Sequence, residues 1–154
     1  NTPLHTRANV AYFGTFGYEL DLNKLTEEEI KEVKEQITFM KEYRELIQFG
    51  TFYRLKSPFE GNETVWMTVS EDKKTALVFW YRERNVVNAD FTRVRLQGLD
   101  PDLIYRNEYN ETENYGDELM NLGLLTTDCT AGEPTSEDEP CTDYESRIYV
   151  LTAK

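Results

Sequence analysis

The sequence predicts a mainly β protein, in which an antiparallel, sandwich-like β domain is preceded by a single strand–helix unit. Three observations carry that reading. The hydrophobic period changes from about 3.6 to about two just after Gly50. Six apolar runs bounded by turn chemistry follow that point. No second strand–helix unit and no internal repeat occurs in the 154 residues.

"AYF" and the residues around it, Ala8 to Phe13, form a short apolar run of the kind buried on both faces, and are read as a strand. Gly14 and Gly17 punctuate the chain after it, and "YELDL" leads into a well-marked helix start. Thr26 is the N-cap with Glu29 three residues on, a capping box, and Leu25 and Ile30 are placed to staple the entry. Glu27, Glu28 and Glu29 suit the positive end of the helix dipole. Ile30, Val33, Ile37, Met40 and Ile47 make one apolar stripe that needs a cover, and Gly50 ends the helix.

The strand candidates beyond Gly50 are "TFYRL", "TVWMTVS", "TALVFWYRER", "TRVRLQGL", "DLIYRNEY" and "SRIYVLTA", separated by turns such as "EDKK" and "LDPD". In "TRVRLQ", Thr92, Val94 and Leu96 face one way and Arg93, Arg95 and Gln97 the other, so one side is wet. "ALVFWY", Ala76 to Tyr81, is apolar on both faces and therefore central, or packed on a neighbouring domain. "GDELMNLGL" reads as a helical turn ending at Gly123. The acidic segment from Asp128 to Glu145 reads as a surface loop. A single strand–helix unit cannot bury its own strand. The expected explanation is truncation: residues 1–50 are the last unit of a larger barrel lying upstream of Asn1, and residues 51–154 are a C-terminal all-β domain.

Composition narrows the function. Hydrophobic residues make up 39%, aromatic residues 13% and charged residues 30%, a globular balance with an aromatic share that a core or a sugar-facing surface must use. A formal net charge of −12 repels phosphate backbones and anionic headgroups, so nucleic acid and membranes are not expected partners. No apolar run is long enough to span a bilayer. Cys129 and Cys141 bracket "CTAGEPTSEDEPC" and are open to either a disulfide or free thiols. His5 is the lone histidine, which argues against a zinc site or a Cys–His dyad, and no cofactor or metal is expected. The sequons at Asn62 and Asn110 are read as chance. A bacterial cytoplasmic setting is the expectation.

"TRANVAYFGTFGYELDL", the Thr-Glu-Glu-Glu helix start and "LIQFGTFYRL" resemble the end of the catalytic domain in glycoside hydrolase family 36 α-galactosidases. "GLDPDLIY" and "YGDELMNLGL" resemble the C-terminal β domain of that family, so the likeness runs over essentially the whole chain. The resemblance implies a (β/α)8 catalytic barrel and retaining hydrolysis of terminal α-galactosides of the melibiose and raffinose type. It implies a nucleophilic Asp in a Lys-Trp-Asp type motif and an acid/base Asp in a Ser-Asp-Asn type context. Neither motif occurs here: Met67 follows Trp66, Tyr81 follows Trp80, and there is no Ser-Asp dipeptide. No catalytic residue is therefore expected in this chain, whose partner is an upstream catalytic barrel and whose isolated form is expected to be inactive.

Glu19 and Asp21, two apart, would share a strand face as a carboxylate pair, but the resemblance puts no catalytic group there. Phe13 and Gly14 are expected near the C-terminal mouth of the last barrel strand, adjacent to substrate in the intact enzyme. Trp66, on a face with Thr68 and Ser70, is a sugar-stacking or domain-interface aromatic; Trp80 reads as core. Asp117 and Glu118 cap the short helical turn, and the run from Glu133 to Glu139 is a solvated loop. The orphan strand and the helix stripe expose apolar surface that favours a homo-oligomer. An autonomous carbohydrate-binding β-sandwich is the alternative, for which the orphan unit has no use.

Overall fold

A computed structural model describes residues 2–19, 21–86, 91–126 and 143–154. Its first element is a helix, α1 (Leu4–Tyr12), where a strand was expected over Ala8–Phe13. A strand would put Ala8, Val10 and Tyr12 on one face. Instead Ala8 and Tyr12 are 4% and 3% exposed while Val10 is 44% exposed, the pattern of a helix with Leu4, Ala8 and Tyr12 in one row. A short apolar run does not separate the two structures by periodicity. Hydrogen bonding does: a lone strand leaves its N–H and C=O groups unpaired, whereas a helix satisfies its own.

α1 is fixed to the end of the chain by side-chain hydrogen bonds. The Thr6 hydroxyl donates to the Tyr144 carbonyl at 2.9 Å, and the Ser146 hydroxyl donates to Thr6 Oγ1 at 3.0 Å. Asn9 Nδ2 adds a bond to Ser146 Oγ at 2.9 Å. A short 3₁₀ turn (Leu22–Lys24) leads to α2 (Glu27–Phe49), whose expected capping box is present in both directions. Val33 is buried, and Ile30, Ile37, Met40 and Ile47 of its stripe are only half-buried. Gly50 closes the helix where Thr68 Oγ1 donates to the Leu46 carbonyl at 3.0 Å. A Cβ at position 50 would lie 2.5 Å from both of those oxygens, so only glycine fits this approach of helix to sheet.

The β strands are β1 (Thr51–Lys56), β2 (Glu63–Val69), β3 (Thr75–Arg82), β4 (Arg93–Val94), β5 (Ile104–Asn107), β6 (Glu113–Tyr115), β7 (Leu124–Leu125) and β8 (Glu145–Ala153). Six form one sheet in the order β1-β2-β3-β8-β5-β6, every pair antiparallel, and β4 pairs with β7 in a second small sheet. The main sheet turns Val65, Met67, Val78, Trp80, Tyr105, Tyr149 and Leu151 toward Val94, Leu96, Leu99, Leu119 and Leu124. Leu119 belongs to α3 (Gly116–Asn121), the helical turn expected there, which ends before Gly123 at φ 92°. The opposite side of the sheet lies under the helices. β3 is therefore buried on both faces, as its apolar run required, with Leu77 and Phe79 at 0% and 1% exposure.

β6 and β7 were not anticipated, because three and two residues carry too little periodicity to register. Cys129, Cys141 and the run from Glu133 to Glu139 lie outside the described residues. Among the described residues no helix is long and apolar enough to cross a membrane.

Candidate functional site

Two of the residues singled out in the sequence, Phe13 and Trp66, meet at the seam between the helices and the sheet. Phe13 leaves the end of α1 and sets its ring 5.7 Å from Phe79, 6.1 Å from Phe52 and 6.2 Å from Trp66. Trp66 lies opposite Phe79 in the β2–β3 register, with ring centroids 5.6 Å apart, and 6.2 Å from Phe52. The guanidinium of Arg54 sits over the Phe52 ring at 5.3 Å. Trp66 is half-buried, its ring engaged from several sides by other aromatic rings. Such edge and tilted packing adds to the area it buries.

Phe13 and Gly14, expected at the end of a barrel strand, instead follow a helix. Gly14 is exposed, and its N–H donates to the Ala11 carbonyl at 3.0 Å. Asp21 is committed to its turn, with Oδ1 accepting from the N–H and the side-chain amide of Asn23, each at 3.1 Å. Glu19 is exposed.

A second aromatic row joins the two helices. Tyr12 stacks on Phe16 at 4.9 Å and meets Phe39 at 4.9 Å; Phe39 in turn meets Tyr43 at 4.7 Å. The Tyr12 hydroxyl donates to the Gln36 carbonyl at 3.2 Å, and the Tyr18 hydroxyl donates to Gln36 Oε1. Gln36 Nε2 donates to Glu32 at 2.8 Å. Burial, then Tyr18 and Glu32, hold the Tyr12 phenol well above its ordinary pKa. Burial, followed by Glu108 and Glu42, pushes Tyr43 up to about 12. These phenols are structural donors kept neutral.

Sequence reasoning missed a charged cleft of about 570 Å³ between the Ser57–Asn62 turn and the far end of β3. On its wall Lys56 pairs with Glu63, whose other oxygen accepts from the Trp80 indole N–H at 3.1 Å. Arg82, only 4% exposed, pairs with Glu145, which also binds Arg147 at 2.8 Å. The Arg82 guanidinium lies 5.4 Å from the centre of the Trp80 ring. Four strands contribute these groups, so no single run of sequence displays the cleft. The available clue was a charged residue, Arg82, directly continuing the apolar run of β3.

Comparison with known proteins gives this arrangement a lineage. The profile of the glycosyl hydrolase family 36 C-terminal domain matches residues 63–151, and the melibiase profile matches residues 1–50. The chain is 51% identical over 121 residues to the α-galactosidase AgaA of Geobacillus stearothermophilus, a match covering 79% of the chain and 16% of that protein. It is 42% identical over 152 residues to α-galactosidase 1 of Pediococcus pentosaceus, covering 99% of the chain and 19% of that protein. The crystal structure of AgaA superposes with a TM-score of 0.88 at 43% identity, over 100% of this chain and 20% of that one. The α-galactosidase of Lactobacillus brevis gives a TM-score of 0.88 at 41% identity, over 99% of this chain and 20% of that one. The chain thus spans about a fifth of the length of the relatives it matches. With one family profile covering more than half of its residues and its fold reproduced throughout in solved members, the chain belongs to glycoside hydrolase family 36.

Proposed function

We propose that this chain is the non-catalytic C-terminal portion of an α-galactosidase that hydrolyses terminal α-galactosides of the melibiose and raffinose type with retention. Residues 1–50 complete its catalytic barrel and residues 51–154 form the β domain that supports it. The nucleophile and the acid/base lie in the upstream barrel, since the sequence here carries neither of the motifs that hold them. The observation that carries the reading is the seam. Phe13, from the segment matched by the melibiase profile, packs on Trp66 and Phe79, from the segment matched by the C-terminal profile. A β domain gripped in this way holds the last barrel helices in place, and Phe13 and Trp66 act there as interface aromatics. Self-association through the half-covered face of α2 belongs to the same proposal.

Two measurements test it together. The 154-residue chain alone is expected to show no turnover of a chromogenic α-galactoside, because loss of both catalytic carboxylates removes many orders of magnitude in rate. A chimera carrying this chain in place of the matching segment of the G. stearothermophilus protein is expected to regain turnover relative to the same protein lacking that segment. Turnover by the chain alone, or a chimera no better than the truncated protein, contradicts the proposal.

A further inference from the structure

We propose that the cleft between the Ser57–Asn62 turn and the end of β3 binds a neutral oligosaccharide. At about 570 Å³ it falls within the range of clefts that hold small organic ligands. Both of its cations are paired in place: Lys56 with Glu63, and Arg82 with Glu145. Neither cation is left to select an anion, and the chain as a whole, at −12, repels one. What remains for a ligand is hydrogen bonding of both senses. Lys56 keeps further N–H donors beyond the one given to Glu63. The carboxylate of Glu60, which lines the cleft, is bound by no side chain among the described residues and offers an acceptor. Arg82 Nε, enclosed in the wall, has no hydrogen-bond partner among the described residues. A buried donor without an acceptor costs free energy, which an oxygen supplied from the cleft would offset.

An exposed aromatic ring stands in the turn that borders the cleft. Phe59 is 95% exposed, between Ser57 and Glu60, which both line the cleft. The negative face of an aromatic ring attracts the weakly positive C–H edge of a sugar ring. Phe59 does not itself line the cleft, but a ligand long enough to leave it over the 57–62 turn would meet this ring, which suits a polyol with an apolar face better than an ion.

Titration of the isotope-labelled chain with raffinose, followed by amide NMR, tests the assignment without reference to turnover. Its outcome is therefore independent of the proposed hydrolase activity. Amide shifts are expected along Lys56–Glu63 and at Arg82, with the Trp80 indole N–H moving in step, and a dissociation constant of about 1–10 mM. Sulfate at the same concentration is expected to move none of these signals. Phe59→Ala and Glu60→Gln, both at exposed positions that leave the fold intact, are each expected to weaken raffinose binding at least about fivefold. No shift up to about 100 mM raffinose overturns the proposal. So do shifts that map to another face, or binding that neither substitution weakens.

Discussion

Phe79 and Phe59 are the same residue type at opposite extremes of environment, and the contrast gives the residue-scale prediction. Phe79 is 1% exposed and touches Phe13 and Trp66, so Phe79→Ala should cost about 3–5 kcal/mol, the range for buried Phe truncations. Phe59 is 95% exposed, so Phe59→Ala should change stability by less than about 0.5 kcal/mol. Urea denaturation of the two variants checks the pair, and equal effects would mean that β3 is not double-covered. The burial of Phe79 was legible because "ALVFWY" leaves no polar alternate position. The environment of Trp66 was less so: its neighbours Thr68 and Ser70 suggested an exposed face, yet Thr68 is fully buried under α2. A small hydroxyl residue bonded to a helix carbonyl looks like surface in sequence and behaves as core in the fold.

At the scale of elements, α2 was readable to the residue because its capping box, acidic first turn and closing Gly50 are all local. α1 was not, because the choice between strand and helix for "AYF" rests on which backbone partners are within reach. What holds α1 is the Thr6–Ser146–Tyr144 set, contacts between the two ends of the chain that no local pattern announces. Thr6→Val removes both bonds at a site 1% exposed and should cost about 1–3 kcal/mol, with the loss visible as faster hydrogen exchange in α1. The helix layer also carries a pH response. Tyr12, Tyr18 and Tyr43 are all raised above 10.0, chiefly by burial, so the fold favours their neutral forms. Their contribution is complete below pH 10.0, the unfolded value, and is lost as pH climbs from there through the raised values, about 12 for Tyr43. Helix content by circular dichroism should therefore fall together with the appearance of the last phenolates. Full ionisation near pH 10.0 with the helices intact would refute that coupling.

For the molecule as a whole, the decisive question is what the helix layer leaves uncovered. The sequence led to an expectation of bare helix and strand faces seeking a cover. The fold partly answers that need by laying α1 and α2 over the Phe79 face of the sheet, an arrangement no composition or period could specify. It does not answer it fully. Ile30, Ile37, Met40 and Ile47 of the α2 stripe stay only half-buried, Val10 is 44% exposed, and Phe49 and Phe52 are 83% and 40% exposed. Burial of a large apolar side chain contributes about 1.5–3 kcal/mol, so covering several of these at once would favour association. A net charge of −12 on each copy opposes it, and that repulsion weakens as salt screens it. Two copies meeting on their α2 faces should therefore form a dimer whose population rises with protein concentration and with salt. Light scattering over a hundredfold concentration range should show a mass above the 18.1 kDa of one chain at the concentrated end, more so at about 0.5 M salt than at about 0.05 M. Ile37→Glu, placed on the half-covered stripe, should return the mass to 18.1 kDa while leaving the β-sheet signal unchanged. A mass fixed at 18.1 kDa at every concentration and salt would instead mean that folding α1 and α2 onto the sheet already covers enough apolar surface for one chain to stand alone.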